Sequence, residues 1–236
     1  MARRRFFVDT IRGGQAEIRG DEARHLTRVL RVETGQRFEI SDNVGVYLAE
    51  VAEARGERVV FRIQEPIESP VPPIRVTLCA ALIKFDRFEW IIEKATELGV
   101  ERILPVDATR TERGLFEASR KRSERWTRIA RESSQQSRRA HLPEILPAVR
   151  FEASLETRAA ARIFLDEETA PALLRVLPDG LDTAAVLLGP EGGWTDRERE
   201  LAASAGWMAA SLGPHVLRAE TAAVASLAVL IAAALR

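Results

Sequence analysis

A chain of 236 residues with 35 Lys+Arg balanced by 35 Asp+Glu, 46% apolar and 30% charged, has the composition of a globular protein with a full core and excludes a disordered or collagen-like chain. The single cysteine, Cys79, cannot form an intramolecular disulfide, and the scattered histidines His25, His141 and His215 offer no zinc-type spacing; no metal is expected, and demanding chemistry falls to side chains or an organic cofactor. No apolar run follows Arg3, Arg4 and Arg5, and none elsewhere reaches the length of a membrane span, so the expectation is a cytoplasmic protein without membrane contact.

The first 65 or so residues read as short β-prone runs, at 5–8, 36–40, 46–51 and 58–63, separated by turn residues at Ser41-Asp42-Asn43 and Arg55-Gly56-Glu57. One helix interrupts them, with Asp21 as its cap and Leu26, Val29 and Leu30 at helical spacing. Strands this short suit a small barrel with one helix. Pro66, Pro70, Pro72 and Pro73 then deny both helix and ladder hydrogen bonds, which places a boundary between a domain at 1–70 and another at 74–236.

Beyond the prolines, strands alternate with helices. An apolar run at 76–83 is followed by a helical stripe of Phe88, Ile91, Ile92, Ala95 and Leu98, opened by Asp86 and closed by Gly99. A short strand is expected at 103–106, and a long helix at 119–137 with Trp126, Ile129 and Ala130 as its thin apolar side. Further strands at 161–165, 184–188 and 208–212, each followed by a loop and a helix, predict an α/β domain with a mainly parallel sheet covered on both faces.

The zero net charge is unevenly spread. Residues 1–31 hold eight arginines against four acidic residues, and residues 110–139 hold ten basic residues against four acidic ones. Such segments suit a polyanion, whose phosphates are met by local arginine clusters, or else form a solvated face laced with ion pairs.

Ligands of open α/β sheets bind beyond the carboxyl ends of the strands, and two loops there carry the chemistry. In Leu188-Gly189-Pro190-Glu191-Gly192-Gly193-Trp194-Thr195, the glycines expose backbone, and Thr195 with Glu198 forms a capping box that starts a helix ending near Gly206. This is neither a dinucleotide fingerprint nor a P-loop, so a nucleotide-dependent hydrolase is disfavoured. The second loop, Leu212-Gly213-Pro214-His215-Val216-Leu217-Arg218-Ala219-Glu220-Thr221, leads into a helix at 222–235 that is apolar nearly all round and too short to span a bilayer. Arg218 and Glu220 sit at its mouth, where an unpaired charge is costly; the alternative is that they pair with each other at the surface. His215 reads as a surface loop residue.

These two loops resemble the C-terminal motifs of the bacterial ribosomal RNA uracil-N3 methyltransferases, the RsmE family of the SPOUT superfamily. Lys84 with Glu93-Lys94-Ala95-Thr96-Glu97-Leu98-Gly99-Val100, then Thr111-Glu112-Arg113, then Gln136-Ser137 with Arg139 and Pro143 resemble its middle motifs in order, so that the likeness covers essentially the whole chain. Departures are mild: Ser133 stands where alanine is usual, Gln135 where glutamate is common, Arg138 where glycine is common and Ala219 where threonine is frequent.

The resemblance implies a PUA-like N-terminal β-barrel that binds RNA, a SPOUT-like C-terminal domain whose last segment threads a trefoil knot, and a homodimer that binds S-adenosylmethionine and methylates N3 of a uridine in small-subunit (16S) ribosomal RNA. Leu188, Gly189, Gly192, Gly193, Leu212, Gly213 and Leu217 would line the cofactor, mostly through backbone. Arg218 would stabilise the uracil anion, and Glu220 or Glu191 would take the proton. Arg3, Arg4, Arg5, Arg24, Lys84, Arg113, Arg122 and Arg139 would meet RNA, Arg113 and Arg139 at a phosphate or the flipped base. A non-catalytic RNA-binding module of ribosome assembly is the competing class, and it predicts no cofactor affinity.

Overall fold

The computed structural model describes residues 4–168 and 170–235. They form two compact units, one of residues up to Val71 together with Ser134–Leu142, the other of Pro72–Ser133 and Pro143 onward.

The first unit contains β1 (Arg5–Phe7), β2 (Ile11–Arg12), β3 (Gln15–Arg19), α1 (Gly20–Arg24), β4 (Arg37–Ser41), β5 (Val46–Arg55) and β6 (Arg58–Pro66). They make one six-stranded sheet in the order β1-β4-β5-β6-β3-β2, antiparallel except for the β1–β4 pair. The sheet ends in free edges at β1 and β2 and is an open half-barrel. Two register shifts between β5 and β6 add the local twist that bends it around Phe6, Ile18, Leu26, Ile40, Val51 and Phe61. Two expectations are corrected here. The strands β2 and β3 have no counterpart in the β-prone runs of the sequence, and Asp21 does not cap the helix: the N-cap is Arg19, without a side-chain hydrogen bond, while Asp21 and Glu22 lie in the first turn, where the helix dipole favours them. The chain continues from α1 into a π-helical turn, His25–Val29.

Within this unit Arg5 is 3% exposed and donates to Glu39 Oε2 through both Nε (3.2 Å) and Nη2 (2.9 Å). Its Nη1 donates to the carbonyl of Arg138 at 2.5 Å, and the Arg138 guanidinium also pairs with Glu39. Arg138 has a left-handed φ of 56°, which explains why glycine suits this position; the ion pair to a buried carboxylate offsets a conformational cost of roughly 1–2 kcal/mol.

The second unit contains β7 (Arg75–Ala81), α2 (Phe85–Glu97), β8 (Arg102–Asp107), α3 (Leu115–Ser119), all but the last three residues of α4 (Ser123–Gln136), β9 (Glu144–Ile145), β10 (Val149–Arg150), α5 (Phe151–Ser154), β11 (Ala161–Leu165), α6 (Leu173–Val176), β12 (Thr183–Leu188), α7 (Asp196–Ser204), β13 (Met208–Ala210) and α8 (Ala219–Ala234). The sheet order is β10-β8-β7-β12-β11-β13, with β9 beside β8, and all these pairs are parallel. The expected helix at 119–137 instead begins at Ser123, after α3 and a 3₁₀ turn of Arg120–Arg122.

The strand runs are continuously apolar because the period of two feeds two buried faces. On one face Val76, Leu78, Ala80, Ile163, Val186 and Leu188 pack with α2, α4 and α8; on the other Cys79, Ala81, Phe164, Ala185 and Leu187 pack with α5, α7, Trp194 and Trp207. Trp126 of α4 meets Phe88 of α2 at 4.9 Å between ring centroids, a packing whose removal in Phe88→Ala would cost about 3–5 kcal/mol. Helices α2 and α7 end alike. Gly99 and Gly206 take positive φ, the following residue's N–H closes on a carbonyl five positions back, and that residue, Val100 or Trp207, is buried.

Helix α8 buries Ala222, Ala223, Ser226, Leu227 and Leu230, while Ala228 and Ala232 on its other side are exposed. No helix among the described residues is long and apolar enough to cross a membrane.

Candidate active site

The strands β7, β12, β11 and β13 lie side by side and parallel, so the segments that follow them emerge at one edge of the sheet. Between them is a cavity of about 320 Å³, within the ordinary range of small-molecule sites. The segment after β11 contributes Asp166 and Glu167; that after β12, Gly189, Pro190, Glu191, Gly193 and Trp194; that after β13, Ser211 to Gly213 and His215 to Arg218; α2 contributes Arg87.

The Gly189–Thr195 loop is fixed from several sides. Trp194 stacks on Phe164 at 4.7 Å and donates from its indole N–H to the carbonyl of Leu165 at 2.8 Å. Thr195 caps α7 in a full capping box with Glu198. Glu198 is 2% exposed and also accepts from the backbone N–H of Thr109 at 2.8 Å. Arg110 donates to the carbonyls of Gly192 (2.8 Å) and Trp194 (3.2 Å). Arg199 donates to the same Trp194 carbonyl at 3.1 Å and to both oxygens of Asp166, at 2.8 and 3.1 Å. Burial alone would raise the Asp166 carboxyl, but the bonds from Arg199 and from backbone N–H groups outweigh it and hold the carboxyl below its ordinary value.

Of the expected cofactor residues, Leu188, Gly189, Gly193, Leu212, Gly213 and Leu217 line the cavity. Gly192 is not among its lining residues: a Cβ there would lie 3.2 Å from Cβ and 3.4 Å from Cδ of Arg110, so its missing side chain makes room for the arginine stem. Gly193 has φ +69°, which a larger residue adopts only with strain, and a Cβ on it would collide with the Glu167 carboxylate.

Arg218 lines the cavity as the N-cap of α8, and its guanidinium makes no ion pair or hydrogen bond among the described residues; the surface pair with Glu220 does not form. Glu220 is outside the cavity lining and has one carboxyl oxygen, Oε2, buried without a partner. Glu191 lines the cavity and pairs with Arg87. His215, read as a plain surface residue, is exposed but lines the cavity, as does Val216, whose 77% exposure leaves an apolar side chain open to a ligand.

The residues expected on RNA are divided between the two units. Arg3 lies outside the described residues, and Arg4 is exposed. Arg5 is corrected: buried against Glu39, its charge faces the interior of the unit and is not available to a phosphate. Arg24 pairs with Asp21 and Glu57. Lys84 is exposed at the N-cap position of α2. Arg113 is exposed on a second cavity of about 460 Å³, with Thr109, Thr111, Phe116 and Arg150. Arg122 pairs with Glu89 and lies 4.7 Å over the Phe85 ring. Burial brings the Arg139 guanidinium down to about 10, and its Nε donates to the His141 carbonyl at 3.1 Å. Sequence reasoning passes over Arg87, Arg110 and Glu167 because none lies in the two motifs; the signal they offer is only their position directly after a strand or at a helix start.

The described residues contain no cluster of His, Cys, Asp or Glu suited to a metal ion. An adenine-bearing sulfonium cofactor fits what is present: apolar Leu188, Leu212, Val216 and Leu217 for a flat ring, glycine backbone for close approach, and carboxylates beside them.

The RNA methyltransferase domain family matches residues 70–231, and the RNA methyltransferase PUA domain family matches residues 18–64. The ribosomal RNA small subunit methyltransferase E of Synechocystis is 37% identical over 213 residues, covering 86% of this chain and 68% of that protein. That of Aquifex aeolicus is 30% identical over 227 residues, covering 96% of this chain and 98% of its own length. Among solved structures, the small subunit methyltransferase E of Neisseria gonorrhoeae bound to S-adenosylmethionine superposes with a TM-score of 0.89 at 27% identity, covering 97% of each chain. A methyltransferase of Legionella pneumophila with bound S-adenosylmethionine gives 0.91 at 28% identity, covering 99% of this chain and 98% of its own.

Proposed function

Because this chain belongs to the ribosomal RNA small subunit methyltransferase E family, and is with it an S-adenosylmethionine-dependent RNA methyltransferase, we propose that its acceptor atom is N3 of a uridine in small-subunit ribosomal RNA. The observation that carries the reading is Arg218, an arginine without a partner among the described residues, on the wall of the cavity built by the glycine loops. Uracil N3 bears a proton and becomes nucleophilic only when it is lost, so the site needs a cation beside the uracil oxygens more than it needs a strong base.

When bound, the cofactor supplies a methyl group on a sulfonium, to be displaced in line. The protein's part is positioning and charge. Leu188, Leu212, Val216 and Leu217 would hold the cofactor's apolar ring, and the backbone at Gly189, Gly193 and Gly213 would allow the close approach of the rest. Arg218 stabilises the uracil anion through its planar fork. Of the two candidate carboxylates, Glu191 is the one on the cavity, and we assign it the proton; Glu220 stands outside. Exposed Arg4 and Lys84, Arg113 at the second cavity and the basic face of α4 are assigned to RNA.

The same reading includes a homodimer, a trefoil knot in the last segment and action in the cytoplasm, where ribosomes are assembled. A dimer would cover the exposed apolar side of α8, and it predicts a light-scattering mass of twice 26.3 kDa at micromolar protein, with a clean monomer as the contrary result. The test of function is transfer of a radiolabelled methyl group to small-subunit RNA followed by nucleoside analysis. N3-methyluridine is expected; label on any other atom overturns the acceptor assignment.

A further inference from the structure

We infer that Glu167 is the carboxylate that meets the positive charge of the bound cofactor, an assignment that rests on the S-adenosylmethionine reading above. The charged residues on the cavity wall are Arg87, Asp166, Glu167, Glu191 and Arg218. Two of the three carboxylates are already neutralised, Asp166 by Arg199 and Glu191 by Arg87. Among the described residues Glu167 has no cationic partner, and neither Glu167 nor Arg218 is satisfied by the other. The wall therefore keeps one free anion and one free cation.

That leftover pair matches the two substrates. The methyl donor is a cation and the acceptor becomes an anion, so each finds an opposite charge that no protein group has claimed. Geometry supports the donor side for Glu167: its carboxylate lies over the Cα of Gly193, in space that any Cβ would take, and so against the glycine loop. The cofactor has two cationic groups, a sulfonium and an ammonium, and a carboxylate there serves either.

The experiment is calorimetric titration of the full chain and of Glu167→Gln with S-adenosylmethionine, S-adenosylhomocysteine, which keeps the ammonium but lacks the sulfonium, and 5′-methylthioadenosine, which lacks both. Glu167→Gln should weaken S-adenosylmethionine about tenfold at low salt, leave 5′-methylthioadenosine within about twofold, and leave the unfolding temperature of the free protein unchanged. Loss confined to S-adenosylmethionine assigns the sulfonium, and equal loss with S-adenosylhomocysteine assigns the ammonium. Unchanged S-adenosylmethionine affinity, or equal weakening of all three, overturns the inference. If the parent chain itself bound no S-adenosylmethionine, the cofactor reading would fail instead.

Discussion

The guanidinium of Arg110 donates to the carbonyl oxygen of Gly192 at 2.8 Å across 82 residues of sequence. One nitrogen holds two carbonyls of the glycine loop, and the loop has no helix or sheet ladder of its own to keep it in shape. Arg110 thus acts on the cavity from behind, through Gly192, whose lack of a side chain lets the arginine stem lie flat.

Removing it should loosen the cofactor wall. Hydrogen bonds from charged donors contribute roughly 1.5–3 kcal/mol, so Arg110→Ala should weaken S-adenosylmethionine at least about tenfold, with RNA affinity little changed. Arg110→Lys, which lacks the rigid fork, should restore only part. Calorimetry with each variant checks this, and an unaltered dissociation constant for Arg110→Ala removes the arginine from the cofactor site.

Arg218→Ala should reduce methyl transfer by a factor of about 10² or more while both ligands still bind, as expected for a charge stabiliser acting in the transition state. Raising the pH should restore part of the variant's rate, because more uridine then ionises unaided. Single-turnover measurements against pH decide it; normal turnover by the variant would end the assignment.

Helix α4 and the turn before it carry the RNA expectation, but their arginines are partly engaged: Arg122 and Arg125 pair with Glu89, and Arg128 approaches Glu132. The three guanidiniums keep 41%, 49% and 64% exposure, so phosphates can reach them, although Glu89 itself is largely buried. Reversing the charge of all three arginines should cut RNA affinity and flatten the log–log salt dependence by about 0.7 for each phosphate that the variant no longer neutralises. If affinity and slope stay as in the parent, the helix is only a solvated face.

Glu39 is buried between Arg5 and Arg138, and Glu39→Ala strands a buried guanidinium. Loss of one partner of a buried pair typically costs about 3–5 kcal/mol, so this change should lower the unfolding midpoint in urea well beyond that of an exposed Glu→Ala control. Equal midpoints would mean that the pair adds nothing to the fold.

Asp166 has a carboxyl held below its ordinary 3.8, so its bond to Arg199 contributes stability above that pH and loses it as the pH falls through the lower value of the folded state. Thermal unfolding of the parent should therefore drop faster below about pH 4 than that of Asp166→Asn, which has no charge to lose. Parallel acid profiles for the two proteins would contradict this origin.

The sequence by itself determined what depends on neighbours within a few positions. Apolar runs located the strands β7, β11 and β12, helical spacing located α2, and the Thr195–Glu198 spacing foretold the start of α7 in a capping box that the structure contains. Serial motifs carried the family, because several short patterns in order are individually weak and jointly specific. Tertiary structure alone decided which charges are left over. Arg87 meets Glu191 across 104 residues because β7 lies beside β12, an adjacency set by sheet order and invisible to local spacing. In the same way Arg5 turned from a surface cation into a buried partner of Glu39, Ser134–Leu142 joined the first unit, and the Glu167 carboxylate came to lie over Gly193 with no cationic partner among the described residues. Coulomb interaction and desolvation depend on distance and burial in three dimensions, and a linear chain specifies neither until its strands have found their neighbours.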